Sequence, residues 1–169
     1  ITSAYGVIAN KGIYNEPISI THIEDQHGRV IKRFVSEQIE VIDESTNYIM
    51  LDMMKDVIDS GTGSKIRWKY KFNVPMAGKT GTTNNKTDAW FIGFTPQIVI
   101  GVWVGVDDPS ISLGKRQFGS VAALPIFADA ITDIYEHGSF NSGSKIVYLD
   151  NKENWAAPNG VVEVKICKE

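Results

Sequence analysis

The chain has 169 residues, of which 43% are hydrophobic and 22% charged, and its formal net charge is -3. A soluble chain of this length buries about 70% of its unfolded surface and supports one sizeable core. The scattered basic residues argue against nucleic-acid binding, and a single cysteine, Cys167, offers neither an intrachain disulfide nor a metal cluster. No stretch approaches the roughly 20 apolar residues of a membrane span.

The first predicted element is a helix over residues 1–10, with apolar side chains at helical spacing and Gly12 beyond its end. The chain opens on this helix with neither a methionine nor a capping residue, so we expect an internal piece of a larger domain. Two β-branched runs, 18–23 and 30–35, flank the turn formers of residues 25–28 and predict a hairpin.

A longer helix is predicted to about residue 59, with Asp43 or Ser45 as its cap. Its apolar residues recur at helical spacing and should form one core-facing side: Ile49, Met50, Met53, Met54, Val57 and Ile58. Methionines in such a regular pattern are core filler rather than a partner-binding groove. A long loop then reaches Pro75, and its basic run at residues 65–71 is expected to be solvated.

Three strands follow, at residues 77–83, 89–94 and 98–106. The second and third are nearly continuous apolar runs, so both are expected to be covered on both faces. In the third strand, Gly101 and Gly105 flank Trp103 on one face, which predicts a helix packed closely against it. The predicted fold class is therefore α/β, of the α+β type, with the sheet between helix layers.

An amphipathic helix is predicted from about Leu124, with Pro125 in its first turn and Gly138 at its end. Beyond it the periodic signal weakens, so we divide the chain into a main unit, residues 1–138, and a C-terminal extension, residues 139–169. Within the extension we expect a loop at 140–145, a short strand at 146–149 and a half-buried strand at 160–166.

The most informative segment chemically is Lys79-Thr80-Gly81-Thr82-Thr83, in the first predicted strand of the sheet. Strand alternation directs Thr80 and Thr82 to one side, and Lys79, Gly81 and Thr83 to the other. Two hydroxyls with a lysine beside them favour a bound carboxylate, and the glycine lets another backbone or helix come close. The alternative is an exposed hairpin rich in turn formers.

Lys-Thr-Gly is a signature of serine β-lactamases and penicillin-binding proteins. Further segments match in order: Ser3-Ala4-Tyr5-Gly6, Ala9-Asn10-Lys11-Gly12, Gly61-Thr62-Gly63, and residues 88–96, 102–108 and 122–127. Over about residues 1–135 the chain resembles the transpeptidase domain of class A penicillin-binding proteins. The resemblance implies an incomplete β-lactamase-like domain, in which helices flank an antiparallel sheet on both sides.

The same resemblance implies a peptidoglycan D,D-transpeptidase that cross-links stem peptides through a serine acyl-enzyme. Lys79 would hold the proton network and the positive field, and the Thr80 and Thr82 hydroxyls would bind the substrate carboxylate. The Thr82 N–H would supply half of the oxyanion hole. Gly81 and Thr83 complete the substrate-binding strand, along which the peptide adds as a further strand. β-Lactam antibiotics would acylate the same serine, and no cofactor or metal is implied.

This chain offers no credible nucleophile for that chemistry. Residues 142–145 fit Ser-x-x-Lys, but they follow the Lys-Thr-Gly strand, whereas the family's nucleophile precedes it. Residues 45–47 fit Ser-x-Asn, but the family places that element before residues 3–6, so a helix start explains them better. We therefore expect the serine and a membrane anchor in an N-terminal remainder, on the extracytoplasmic (periplasmic) face of the bacterial inner membrane.

Two alternatives stay open at this point. A D,D-carboxypeptidase or serine β-lactamase shares the strand motif and differs in whether water resolves the acyl-enzyme, although Thr82-Thr83 and residues 88–96 favour the transpeptidase. A non-catalytic binding or scaffolding module is the second alternative. The chain's other polar groups are weaker candidates, since the three histidines lack ligand spacing and Asp107-Asp108 is better explained as a turn.

Overall fold

A computed structural model of the chain describes residues 1–108, 110–142, 145–162 and 164. In chain order the elements are α1 (Thr2–Ala9), β1 (Ile13–Asn15), β2 (His22–Glu24), β3 (Val30–Arg33), β4 (Gln38–Glu40), α2 (Glu44–Asp59), α3 (Lys65–Trp68), β5 (Ala77–Thr82), β6 (Asp88–Phe94), β7 (Val99–Gly105), α4 (Gly119–His137), β8 (Ser139–Ser142) and β9 (Lys145–Tyr148). None of the helices in the described part of the chain is long and apolar enough to cross a membrane.

The central sheet is antiparallel and has the strand order β5-β6-β7. Its middle strand β6 is almost wholly buried, as its continuous apolar run predicts. The same expectation is wrong for β7, which is an edge strand with Trp103 45% exposed. The predicted close helix is found at Gly101, where an added Cβ would overlap Thr2 of α1, but at Gly105 the added Cβ would overlap the Trp103 indole instead.

Helix α4 covers one face of the sheet. Phe127 stacks edge-on against Phe91 with ring centroids 4.8 Å apart, and its ring fills the space that a side chain at Gly93 would need. The fully buried cluster on this side also draws on α2 and α3 through Ile58 and Ile66. This layer supplies the larger of the two cores.

Helix α1 and residues of the C-terminal extension cover the opposite face. Tyr5 lies 6.4 Å from Phe94 between ring centroids, and Trp155 packs edge-on against the same phenylalanine at 5.9 Å. The buried Trp155 indole also donates a 2.8 Å hydrogen bond to the carbonyl of Ala9, at the end of α1. Helices therefore flank both faces of the antiparallel sheet, which confirms the predicted fold class.

Helix α2 begins where the sequence predicts, with Asp43 accepting a hydrogen bond from the Thr46 N–H. Its buried face is Asn47, Tyr48, Leu51 and Ile58, whereas Ile49, Met50 and Met53 are exposed. The expectation that those three residues pack into the core is therefore wrong. Contacts with residues distant in the sequence determine which side of α2 is buried. The Asn47 side-chain amide donates to the carbonyl of Ile8, and Leu51 packs with Ala77.

The segment between α2 and β5 is less of a loop than predicted, since α3 forms within it. Arg67 is not solvated: its guanidinium donates to the carbonyls of Phe72 and Val74 and pairs with Asp59 at 2.9 Å. These bonds stabilise the chain just before the central sheet. The three lysines of the same run, Lys65, Lys69 and Lys71, have no comparable set of hydrogen bonds to the backbone.

The predicted hairpin is confirmed as β2 and β3, with a register shift at Ile23/Glu24, although its first strand starts only at His22. The pairing of β1 with β4 has no counterpart in the sequence analysis. Helix α4 begins at Gly119, before the predicted start, so Pro125 lies beyond the first turn; Gly138 ends the helix with φ of 69° as predicted. The earlier start reflects a contact of Gly119 with the sheet.

In the extension, β8 and β9 pair as a hairpin, so the loop expected at 140–145 is wrong for residues 140–142 and 145. The strand at 146–149 is confirmed through Tyr148. Residues 160–162 and 164 are not in a strand, and the rest of the predicted strand at 160–166 lies outside the described residues, as do Gly143 and Ser144. The division at residue 138 stays a prediction.

Candidate active site

The Lys-Thr-Gly segment forms β5, at an edge of the central sheet. The first half of the strand is buried: Ala77 packs with Leu51, and a Cβ added at Gly78 would lie 2.8 Å from the carbonyl oxygen of Ile92. The second half emerges toward solvent, where Lys79 and Thr82 are exposed. The buried first half of β5 thus holds its accessible second half in place.

The predicted alternation of side chains along β5 is confirmed. Thr80 and Thr82 face the same side and line a cavity of about 350 Å³, together with Thr62, Phe118, Gly119 and Ser120. The cavity wall thus combines hydroxyl groups with the first residues of α4. Hydroxyls and a helix N-terminus both favour a bound anion.

Gly119 sets the distance between α4 and the sheet. Its N–H donates a 3.1 Å hydrogen bond to Thr82 Oγ1, and an added Cβ would lie 2.7 Å from the carbonyl oxygen of Gly81. A Cβ on Gly81 itself would lie 3.2 Å from Trp90 Cβ, across the strand pair. The sequence predicts that a helix packs against the bare side of Gly81, but the structure places Trp90 there. The close approach of α4 is on the threonine side of β5 instead, and Gly119 is the residue that permits it.

Lys79 lies on the other side of β5 from the two threonines. With Tyr5, Thr80, Gly81 and Trp90 it lines a second, mainly apolar cavity of about 190 Å³. Its ammonium donates a 2.8 Å hydrogen bond to the carbonyl of Thr80. The cation therefore reaches the strand from the face opposite the hydroxyls and remains open to solvent.

Thr83 holds the turn that follows β5. Its Oγ1 accepts hydrogen bonds from the backbone N–H groups of Thr87 (3.1 Å) and Asp88 (3.0 Å), and lies 2.9 Å from Thr87 Oγ1. A threonine hydroxyl has two acceptor lone pairs, so both are used within the turn. The predicted substrate-binding side chain at this position is thus engaged in local structure.

Thr62 is a residue of this site that the sequence does not predict. Its Oγ1 lies 2.9 Å from Thr80 Oγ1, so the structure adds a third hydroxyl to the threonine face of β5. The signal that could have found it is the pair of flanking glycines. Small residues on both sides of one hydroxyl indicate a tightly packed connection.

The polar side chains of His22 and Asp108 lie outside this site and interact with residues close to them in the sequence. His22 pairs with Glu24 at 2.9 Å, and Asp108 accepts a hydrogen bond from the Ser110 N–H within a turn. A hydrogen bond from the Ser110 side chain, together with this backbone bond, lowers the pKa of Asp108. Within the described ranges, no three His, Cys, Asp or Glu residues are grouped to hold a metal ion.

An antiparallel sheet between α1 and α4, with Lys-Thr-Gly on its edge strand, is the architecture of the serine penicillin-binding proteins and β-lactamases. The crystal structure of penicillin-binding protein 1A from Haemophilus influenzae superposes with a TM-score of 0.72 at 23% identity, over 79% of this chain and 25% of that one. This similarity concerns the fold alone. It supports the predicted fold class, in which helices flank an antiparallel sheet.

The family follows from sequence comparison. The sequence model of one protein family, the penicillin-binding protein transpeptidase domain, matches residues 1–132. Penicillin-binding protein 1A of Rickettsia prowazekii is 36% identical over 96% of this chain and 24% of its own length, and that of Aquifex aeolicus is 41% identical over 83% and 19%. The chain belongs to the penicillin-binding protein transpeptidase family, and it spans about a quarter or less of these curated relatives.

Proposed function

We propose that this chain supplies the Lys-Thr-Gly wall of a peptidoglycan D,D-transpeptidase active site. The observation that carries the proposal is the placement of Thr80 and Thr82 on one face of an edge strand, where they line a cavity together with the start of α4. A D-alanyl-D-alanine stem peptide ends in a carboxylate, which two hydroxyl donors and a helix N-terminus suit. Thr80 and Thr82 would bind that carboxylate.

The Thr82 N–H is proposed as one donor of the oxyanion hole. Across the turn, the Thr83 N–H donates to the carbonyl of Asp88, so Thr83 directs its backbone groups toward β6. Backbone groups alternate in direction along a strand, so Thr82 and Thr80 direct theirs toward the open edge. An outward N–H beside a carboxylate site suits a developing oxyanion, and the outward groups also suit a peptide added as a further strand.

Lys79 would contribute its charge to the same reaction. In the proposed cycle, a serine outside this chain attacks the carbonyl of the penultimate D-alanine, and the terminal D-alanine leaves with a proton. An amine of a neighbouring peptide then attacks the ester and releases the serine. An exposed ammonium on the carbonyl of Thr80 would strengthen the positive field at the strand, which favours the oxyanion of both steps.

Family membership supports the remaining partners of the proposal. β-Lactams would bind along β5 in place of the peptide and acylate the same serine. The N-terminal remainder of the polypeptide would supply that serine and a membrane anchor, and the domain would then lie on the extracytoplasmic face of the bacterial inner membrane. No cofactor enters the cycle, because each step transfers an acyl group between nucleophiles.

The test uses the full-length protein that contains this chain, with a fluorescent penicillin and with two stem peptides, one of which offers the amine. We expect one covalent label per protein, on a serine upstream of residue 1, and a cross-linked peptide with release of D-alanine. Hydrolysis without cross-linking would favour a carboxypeptidase. A full-length protein that takes no label would refute the proposal, and label on Ser142 would refute the external nucleophile.

A further inference from the structure

The side chains of Thr62 and Thr80 share a single hydrogen bond, 2.9 Å between their hydroxyl oxygens, and either oxygen can be its donor. Thr62 lies in the turn after α2, 18 positions from Thr80 in sequence. Both residues line the cavity proposed to take the substrate carboxylate. The direction of this hydrogen bond determines whether the Thr80 hydroxyl proton is available to a ligand.

The turn is built to hold Thr62 in position. A Cβ added at Gly61 would lie 2.8 Å from Val57 Cα, and one at Gly63 would lie 2.9 Å from Ile58 Cδ1. The N–H groups of Gly61 and Gly63 donate to carbonyls of the last turn of α2, on Asp56 and Val57. The glycines let the chain pass directly over the helix end, and this packing directs Thr62 at β5.

Each threonine hydroxyl carries one proton, whereas a carboxylate only accepts. If Thr80 donates to Thr62, it has no proton left for the ligand. If Thr62 donates to Thr80, the Thr80 proton is free, and the bond it accepts makes it a stronger donor. Thr82 has the corresponding arrangement, because the Gly119 N–H can only donate and leaves the Thr82 proton free.

We infer that Thr62 is a positioning residue of the carboxylate site, which donates to Thr80 and so makes the Thr80 hydroxyl a donor to the ligand. The inference rests on the proposed function of the site. Thr62 touches no ligand in this arrangement. It acts through Thr80 as Gly119 acts through Thr82, so the two hydroxyls that meet the carboxylate are each oriented by one donor behind them.

The test compares Thr62→Val with Thr62→Ser in the full-length protein. Valine keeps the branched shape and removes the hydroxyl, whereas serine keeps the hydroxyl. Second-order acylation rates are measured with a penicillin and with its methyl ester, which lacks the carboxylate charge. Loss of one hydrogen bond behind Thr80 should slow the acid by about twofold to tenfold in Thr62→Val, while the ester changes little. Thr62→Ser should keep the acid-to-ester ratio of the unsubstituted protein.

A further comparison adds Thr62→Val to Thr80→Val. If Thr62 acts through Thr80, the double variant reacts with the acid as Thr80→Val does, so the two effects do not add. Equal slowing of acid and ester in Thr62→Val, or full additivity in the double variant, would assign Thr62 a structural part only and overturn the inference. An unsubstituted protein that reacts with neither probe would overturn the proposed function, and this inference with it.

Discussion

Trp103 Nε1 donates a 2.9 Å hydrogen bond to Asp88 Oδ1, and this bond ties strand β7 to the turn beside the candidate site. The Thr87 hydroxyl donates to the other carboxylate oxygen at 2.8 Å. These hydrogen bonds, the Trp103 one first, lower the pKa of Asp88 below its ordinary value of 3.8. The turn that Thr83 holds is thus fixed from behind by an ionised carboxylate.

A carboxyl group with a lowered pKa in the folded state stabilises the protein above its unfolded pKa. That contribution is lost as the pH falls through the folded value. We therefore expect Asp88→Asn to reduce stability at pH 7 and to differ little from the unsubstituted protein near pH 2. Urea unfolding midpoints of the full-length protein at both pH values measure the difference. Trp103→Phe, which keeps an aromatic ring but loses the N–H, is the matched variant, and its stability at pH 7 should also be reduced.

Thr82→Val tests the carboxylate site directly. Valine suits a strand as well as threonine does, so the fold should persist while the hydroxyl is lost. A hydrogen bond to a charged group is worth about 1.5–3 kcal/mol, which predicts an acylation rate lower by roughly tenfold to hundredfold. Stopped-flow acylation with a labelled penicillin gives the rate, and Thr82→Ser should retain most of it. Unchanged kinetics in the valine variant would remove Thr82 from the site.

Gly81→Val is expected to slow acylation more than Thr82→Val does. The new Cβ would lie 3.2 Å from Trp90 Cβ, tighter than an ordinary contact, and the two branching methyl groups need further room. Such overpacking typically lowers stability by about 1–3 kcal/mol. A displacement of about 1 Å at the strand can reduce the rate by around a hundredfold.

The Gly81→Val measurement pairs that rate with circular dichroism, to show that the variant remains folded. Gly81→Ala, with a Cβ alone, should give an intermediate rate. If Gly81→Val reacted as fast as the unsubstituted protein, β5 would not line the catalytic cleft.

The elements that the sequence predicts well are those set by neighbours in the chain. The alternation of Thr80 and Thr82, the cap of Asp43 on α2 and the left-handed Gly138 each depend on a few adjacent residues. The family segments add the order of the elements. Together they give the fold class and the strand that carries the candidate site.

What the sequence did not predict depends on residues that are far apart in the chain. The buried side of α2 is chosen by Asn47 reaching Ile8, 39 positions away, so helical periodicity alone selects the wrong methionines for the core. Likewise the Thr62 hydroxyl meets Thr80 only because the helix end and the strand are brought together. Helix and strand periodicity depends on neighbouring residues and does not identify which distant residues meet.

Gly119 keeps α4 at its short distance from β5. A Cβ there would overlap the carbonyl oxygen of Trp90 and lie 2.7 Å from that of Gly81, and backbone atoms in a central sheet cannot move aside as a side chain does. Gly119→Ala should therefore push the start of α4 away from the sheet. We expect lower stability and a break in the hydrogen bond to Thr82, with slower acylation as a result.

Gly6→Ala is the matched control, since no atom lies within 4 Å of an added Cβ there and alanine favours the interior of a helix. Urea midpoints and acylation rates of both variants are compared in the full-length protein. Gly6→Ala should unfold at the same or a higher denaturant concentration and keep its rate. If Gly119→Ala matched it in both measurements, α4 would not need to lie against Gly81, and its N-terminus would have no part in orienting Thr82.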